Sequence, residues 1–338
     1  MYRHDLKPKI SVLMSIYNEP IEWVSEAIES ILFQTFKNYE FLIINDKPDR
    51  KENIVLLAEY AKKDRRIKII ENAHNIGLTK SLNKGLDLAQ GQYIARMDAD
   101  DIALPNRLTE QVTYMDAHSD VAACGSYVKL FGDNEKVINE FRTKSNQTVN
   151  YLLVGSPIVH PSAIMRKSIL DKFNIRYNED LRFAQDYNFW FMLSTVAKIA
   201  NIPKVLLKYR SSEKQISRGR QEEQLAIAVR ERKKIITYLI KSDEINEVVE
   251  EFCSTRVFNI SKYRMIRKQL LKSSPDNKQL LERLNLLQYS ILISRPLNFQ
   301  GKLKLLFQPE LWMAGFNLKY RLRIIYNNLV RNKYPSLL

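Results

Sequence analysis

The chain has 338 residues, 45% hydrophobic and 27% charged, which excludes disorder and suffices for one large core or two modest ones. Its two cysteines, Cys124 and Cys253, are too few and too far apart for a disulfide scaffold, and no CxxC spacing offers a metal site, so a reducing compartment is expected. The formal charge of +15 falls within residues 199–338, where 27 Lys and Arg face 12 Asp and Glu, whereas residues 1–198 balance. A neutral half joined to a basic one predicts that the second meets a polyanion, either an anionic membrane surface or nucleic acid.

The opening residues Met1 to Asp5 lead into an apolar run too short for a signal-peptide core. No apolar stretch reaches the roughly 18 residues of a membrane span. The expected location is the cytoplasm, with any membrane contact peripheral, on the inner face.

Residues 10–17 form a continuous apolar, β-branched run, and similar runs recur at 39–44, 67–71 and 92–97. Between them, 21–34, 52–63 and 79–90 carry apolar residues at three- and four-residue spacing. The alternation predicts an α/β fold with a mostly parallel central sheet covered by helices. Ligands of such sheets bind beyond the carboxyl ends of the strands. Asn18 and Glu19 follow the first strand, Asn45 and Asp46 the second, Asn75 and Gly77 the third, and Asp98, Asp100 and Asp101 the fourth.

Three acids within four residues at a strand end repel one another unless a cation sits among them, and hard divalent ions such as Mg²⁺ or Mn²⁺ take such oxygen ligands. A cation held there would neutralise a leaving diphosphate. The competing reading is that these acids cap the helix beginning near Pro105.

Residues 155–166 read as a turn and a strand containing His160, which either faces the site or is structural. The segment 184–192 begins a helix with Gln185 and Asp186 in its first turn, and Trp190 one turn later offers either an apolar wall for a ligand or a core residue. From about 219 onward, helical segments continue with breaks at Pro275, Pro296 and Pro309. Residues 295–333 interleave Lys and Arg with large apolar side chains such as Trp312 and Phe316, a composition suited to an anionic membrane interface or to packing on the protein.

Residues 11–19, 27–36, 75–77, 82–85 and above all 91–101 with Pro105 and Arg107 together resemble family 2 glycosyltransferases of the GT-A fold, over roughly residues 8–217. The resemblance implies that Ser15, Tyr17, Asn18, Glu19, Asp46, Lys80 and Asp98 form the donor-nucleotide side, with Asp46 accepting from uracil if the donor is a UDP-sugar. It implies that Asp98 and Asp100 match the Asp-x-Asp motif, with Asp101 adjoining and Asp100 the first choice as metal ligand. Asp186 would be the base that deprotonates the acceptor hydroxyl, and His160, Gln185 and Trp190 would lie on the acceptor or sugar side. The chain departs from the family in having Gln185 where a Glu is usual, and Ser212 where many members place a His near the metal.

The expectation is therefore an inverting, metal-dependent hexosyltransferase. It moves a sugar from a nucleotide diphosphate, UDP for preference, to a hydroxyl of a glycan or lipid-linked glycan acceptor in capsule, exopolysaccharide or lipopolysaccharide synthesis. The expected organisation is a catalytic domain over 1–217, with a donor half to about 103 and an acceptor half from about 104, followed by a basic helical region over 218–338. A nucleotidyltransferase or pyrophosphorylase would carry a Gly-rich, basic phosphate loop after the first strand, where this chain has Tyr17, Asn18, Glu19 and Pro20. A nucleic-acid-binding protein fits the basic half but lacks a recognised binding signature, and the acidic crevice would repel phosphate, so no nucleic-acid partner is expected.

Overall fold

Each apolar run in the first hundred residues is a strand, and each segment of helical period is a helix. In the computed structural model these are β1 (Ile10–Ile16), α1 (Ile21–Leu32), β2 (Tyr39–Asn45), α2 (Lys51–Lys63), β3 (Ile67–Glu71), α3 (Leu78–Leu88) and β4 (Tyr93–Asp98). The structure describes residues 7–133, 135, 137–138, 152, 156–211 and 221–240, with five further positions between 265 and 272. Every residue of β1 and β2 is buried, which explains their continuous apolar pattern, since strands covered on both faces have no solvent side to alternate with.

Helix α3 lies tightly on this sheet because Gly85 has no side chain. A Cβ there would stand 2.1 Å from Leu13 Cδ1 and 2.8 Å from Ile44 Cδ1. The helix is entered through Gly77 at φ +86°, a left-handed conformation that glycine adopts without steric cost.

The second half adds β5 (Ile102–Ala103), α4 (Arg107–Ala117), β6 (Val121–Gly132), β7 (Val137–Ile138), a 3-10 turn (His160–Ser162), β8 (Ile164–Arg166), α5 (Lys167–Lys172), α6 (Gln185–Val196) and β9 (Lys198–Ser211). One mixed sheet runs β3-β2-β1-β4-β8-β6-β9-β5, with β7 paired to β6. The pairs β1–β2, β1–β4, β2–β3 and β6–β9 are parallel, while β8 runs antiparallel to β4 and β6, and β5 antiparallel to β9. Strand order reverses between β1 and β4, so the carboxyl ends of those two neighbours frame the crevice where open α/β sheets take their ligands.

The chain divides into two compact units, residues 1–149 with 156–228 and residues 150–155 with 229–338. Helix α7 (Gln221–Ile240) runs through the division. In the second unit Ile235 and Ile236 are buried, and the buried Glu231 is paired with Lys234 at 2.8 Å. Among the described residues no helix is long and apolar enough to cross a membrane. The basic stretch 295–333, Cys253 and Ser212 lie outside the described residues.

Candidate active site

Ser15 is buried and opposite Ile44 on one side and Asp98 on the other, so the ends of β1, β2 and β4 are in register at the crevice. Beyond β1 the chain turns outward. Tyr17 is 44% exposed and lies under the Lys47 ammonium, while Asn18 is exposed and accepts from Lys47 Nζ at 3.3 Å. Glu19 accepts from the Tyr17 amide at 2.7 Å, and burial, then Asp98, push its carboxyl upward.

Asp46 is 3% exposed and holds the neighbouring loop in place. One oxygen accepts from Asn72 Nδ2 (2.8 Å) and the Ile76 amide (2.9 Å), the other from the Gly77 amide (2.9 Å). It thus fixes the turn that starts α3, on whose first turn Lys80 is exposed.

Asp98, Asp100 and Asp101 converge: one carboxylate oxygen from each lies within 4.8 Å of the others. Burial, then Asp98 and Glu19, push Asp100 up to about 6. Burial, then Asp98 and Asp100, raise Asp101 well above the usual carboxylate range. Asp101 does not cap α4, whose N-cap is Asn106 with no side-chain capping bond. Its Oδ1 accepts from the Arg210 amide at 2.8 Å, and its buried Oδ2 has no hydrogen-bond partner among the described residues. Crowded oxygens with one buried lone acceptor fit a hard divalent cation.

Beneath the acids lie two buried arginines. Arg96, within β4, reaches Asp98 and the Met97 carbonyl. Arg107 donates to the Arg96 carbonyl at 2.7 Å and to Gln111 at 3.2 Å; burial lowers it to about 10 against the pull of Asp101. Buried cations compensate buried anions that would otherwise be expelled or neutralised.

Asp186 sits in the first turn of α6, which is entered through Ala184 in the left-handed region (φ 53°). Its carboxyl is raised, by burial first, against the backbone N–H groups of Tyr187 and Asp186, with Asp98 raising it further. Tyr209 on β9 is raised by burial and then by Asp101, Asp98, Asp100 and Asp186 in turn. The charge of Asp98 thus acts on Asp186 as it does on Asp100 and Asp101. The segment leading to α6 is anchored on α3, where Asn83 exchanges hydrogen bonds of 2.9 Å with both the amide and the carbonyl of Tyr177. Gln185, the first residue of α6, is partly exposed.

The sugar-wall reading of Trp190 is corrected: it is fully buried, edge-on to Phe189 and His160, and belongs to the core. His160 joins that aromatic cluster, with Nε2 2.7 Å from the Tyr177 hydroxyl, and burial, then Arg96, hold its pKa well below 6.5.

The profile of Glycosyl transferase family 2 matches residues 11–173. A Haemophilus influenzae protein named an uncharacterized glycosyltransferase is 33% identical over 275 residues, covering 78% of this chain and 84% of its own length. The chain belongs to glycosyltransferase family 2. The amylovoran biosynthesis glycosyltransferase AmsE of Erwinia amylovora is 30% identical to this family 2 enzyme over 213 residues, covering 62% of this chain and 79% of its own. Among solved structures, S. aureus TarS in complex with UDP-GlcNAc shares the fold, with a TM-score of 0.57 at 18% identity, over 95% of this chain and 89% of that one.

Three residues of this glycosyltransferase's site were given no role from sequence: Arg96, Arg107 and Arg210. The first left a signal, because an arginine between Ala95 and Met97 inside an apolar strand must find a partner. Arg107 stands in the quoted motif without a role, and nothing local ties Arg210 to acids more than a hundred residues earlier.

Proposed function

We propose that this enzyme transfers a hexose-type sugar from a nucleotide diphosphate, UDP for preference, to a hydroxyl of a glycan acceptor with inversion at the anomeric carbon. The observation that carries the reading is the convergence of Asp98, Asp100 and Asp101 at the strand-order reversal. Asp100, with Asp98 and Asp101, would hold Mn²⁺ or Mg²⁺, which when bound supplies positive charge for the departing diphosphate. Ser15, Tyr17, Asn18, Glu19, Lys80 and Asp98 line the donor side. Asp46 belongs to that side too, fixing the 72–77 loop and accepting from the base.

Asp186 removes the proton of the attacking hydroxyl. A carboxylate whose proton affinity is raised by burial and by Asp98 is a stronger base than a solvated aspartate. Attack from the Asp186 side, opposite the leaving diphosphate, inverts the centre. Gln185 stands next to this base on the acceptor side, and His160 supports it through Tyr177.

Surface-polysaccharide synthesis is supported by the name of the AmsE relative and UDP by the TarS complex. Peripheral contact with an anionic membrane rests on the basic, apolar composition of 295–333. The catalytic domain is placed at 1–217 and the basic helical region at 218–338. The test is a panel of nucleotide-sugars scored for cation-dependent transfer or hydrolysis, with the anomer of the product read by NMR. One donor turned over with inversion, and silenced by a chelator, supports the reading; turnover unaffected by chelator, or a retained configuration, overturns it.

A further inference from the structure

Arg210 stands where four elements meet. From β9 its amide donates to Asp101 Oδ1 at 2.8 Å and its Nε donates to the Asp100 carbonyl at 2.7 Å. Its terminal nitrogen pairs with Glu26 on α1. The guanidinium lies between two aromatic rings, 4.6 Å from the centroid of Trp23 on α1 and 4.3 Å from that of Phe131 on β6. The side chain is 11% exposed, and below it β5 and β9 pair at Ile102–Lys208 and Ala103–Leu207.

A planar cation held close to two aromatic rings and bonded at its edges has few alternative rotamers. Its two links to the acid loop are of different kinds. One orients a carboxylate through the backbone, and the other holds the Asp100 carbonyl, which sets the direction of the Asp100 side chain one bond away. Three like charges within 4.8 Å would otherwise move apart, and a cation site loses affinity when its oxygens are displaced.

We propose that Arg210 is a positioning residue that clamps the Asp100–Asp101 loop in its cation-binding arrangement, using α1 and β6 as the two jaws. This rests on the proposed use of a divalent cation by the triad. Arg210 touches neither donor nor acceptor in this role; it acts through the loop.

Charge alone predicts the opposite sign, which makes the proposal testable. A guanidinium beside the acids repels a divalent ion, so a purely electrostatic Arg210 would weaken cation binding, and removing it would tighten binding. A clamp predicts that removal weakens binding.

The experiment is Mn²⁺ titration followed by EPR of free Mn²⁺, with UDP present and no acceptor, on the full-length wild type, Arg210→Met and Arg210→Lys. Methionine keeps an apolar stem between Trp23 and Phe131, and lysine keeps the charge without the planar fork. The clamp predicts roughly tenfold weaker Mn²⁺ binding in both, the scale of one lost charge-assisted hydrogen bond, with circular dichroism unchanged. Unchanged or tighter binding in Arg210→Met overturns it, as does full recovery by Arg210→Lys. Failure of the wild type to bind Mn²⁺ instead removes the cation reading on which the proposal rests. If Arg210→Met does not fold, the folded Arg210→Lys decides alone.

Discussion

Arg96 and Asp98 are two residues apart on β4 and paired, with the guanidinium 1% exposed and the carboxylate 30% exposed at the crevice. The buried partner depends on the exposed one, because Asp98 is the carboxylate with which Arg96 is paired, whereas the carboxylate can also turn to water or a cation. Asp98→Asn therefore strands a buried charge, at a cost of about 3 kcal/mol or more. Urea unfolding of the purified variant should show this loss together with loss of transfer.

Asp100→Asn should behave oppositely. Crowding pushes Asp100 up to about 6 from 3.8, so its ionised form disfavours the cation-free fold. A neutral amide relieves this, and the variant should be more stable than wild type by on the order of 2 kcal/mol at pH 7.5 while transfer is abolished.

The same shift gives a pH dependence. A carboxyl whose folded pKa is raised binds its proton more tightly in the native state, so the destabilisation is fully present above about 6 and fades as pH falls toward the ordinary value. His160, whose pKa the fold lowers, pulls the other way as pH falls through the ordinary histidine range, because the unfolded chain binds that proton more readily. The observable is therefore the stability difference between wild type and Asp100→Asn, which should shrink between pH 7.5 and pH 5 without added cation; a constant difference would contradict the crowding.

Asp186→Asn should lower kcat by roughly 10²- to 10⁴-fold with donor affinity nearly unchanged. The wild-type rate should rise with pH through an ionisation above the 3.8 of an ordinary aspartate, because burial and Asp98 raise this carboxyl. A profile flat through the acid range would remove Asp186 as the base.

Gly91→Ala and Gly85→Ala should differ in cost. At Gly85 the new methyl meets side-chain ends, Leu13 Cδ1 and Ile44 Cδ1, and overpacking of about 1–3 kcal/mol is expected. At Gly91 it meets backbone, Ser11 N at 2.4 Å and Ile10 C at 2.6 Å, so β1 itself must move. Thermal midpoints should rank wild type, Gly85→Ala, Gly91→Ala in descending order.

The first half was legible because its pattern is local. Buried parallel strands show as unbroken apolar runs, and each run ends at a polar residue at the carboxyl end of its strand, as with Asp46 and Asp98. The second half of the sheet was legible only in fragments: β6 and β9 pair in parallel from Val121–Lys198 to Gly132–Ser211, and no local pattern announces a partner some eighty residues away. Trp190 shows the limit of periodicity, since α6 buries Tyr187, Asn188, Phe189 and Trp190 in succession and a helix covered on most sides carries no solvent stripe by which to orient a tryptophan. Arg96, Arg107 and Arg210 were missed for a related reason: charged residues read as surface until their partners are known.

The central claim is that acids at the β1–β4 reversal hold a cation against a nucleotide diphosphate. Calorimetric titration of UDP into wild type and Asp100→Asn, each with Mn²⁺ and with EDTA, tests it most directly. The prediction is binding in wild type with Mn²⁺ and binding at least tenfold weaker in the other three titrations, a difference of about 1.4 kcal/mol. Equal UDP affinity with EDTA, or in Asp100→Asn with Mn²⁺, would contradict it.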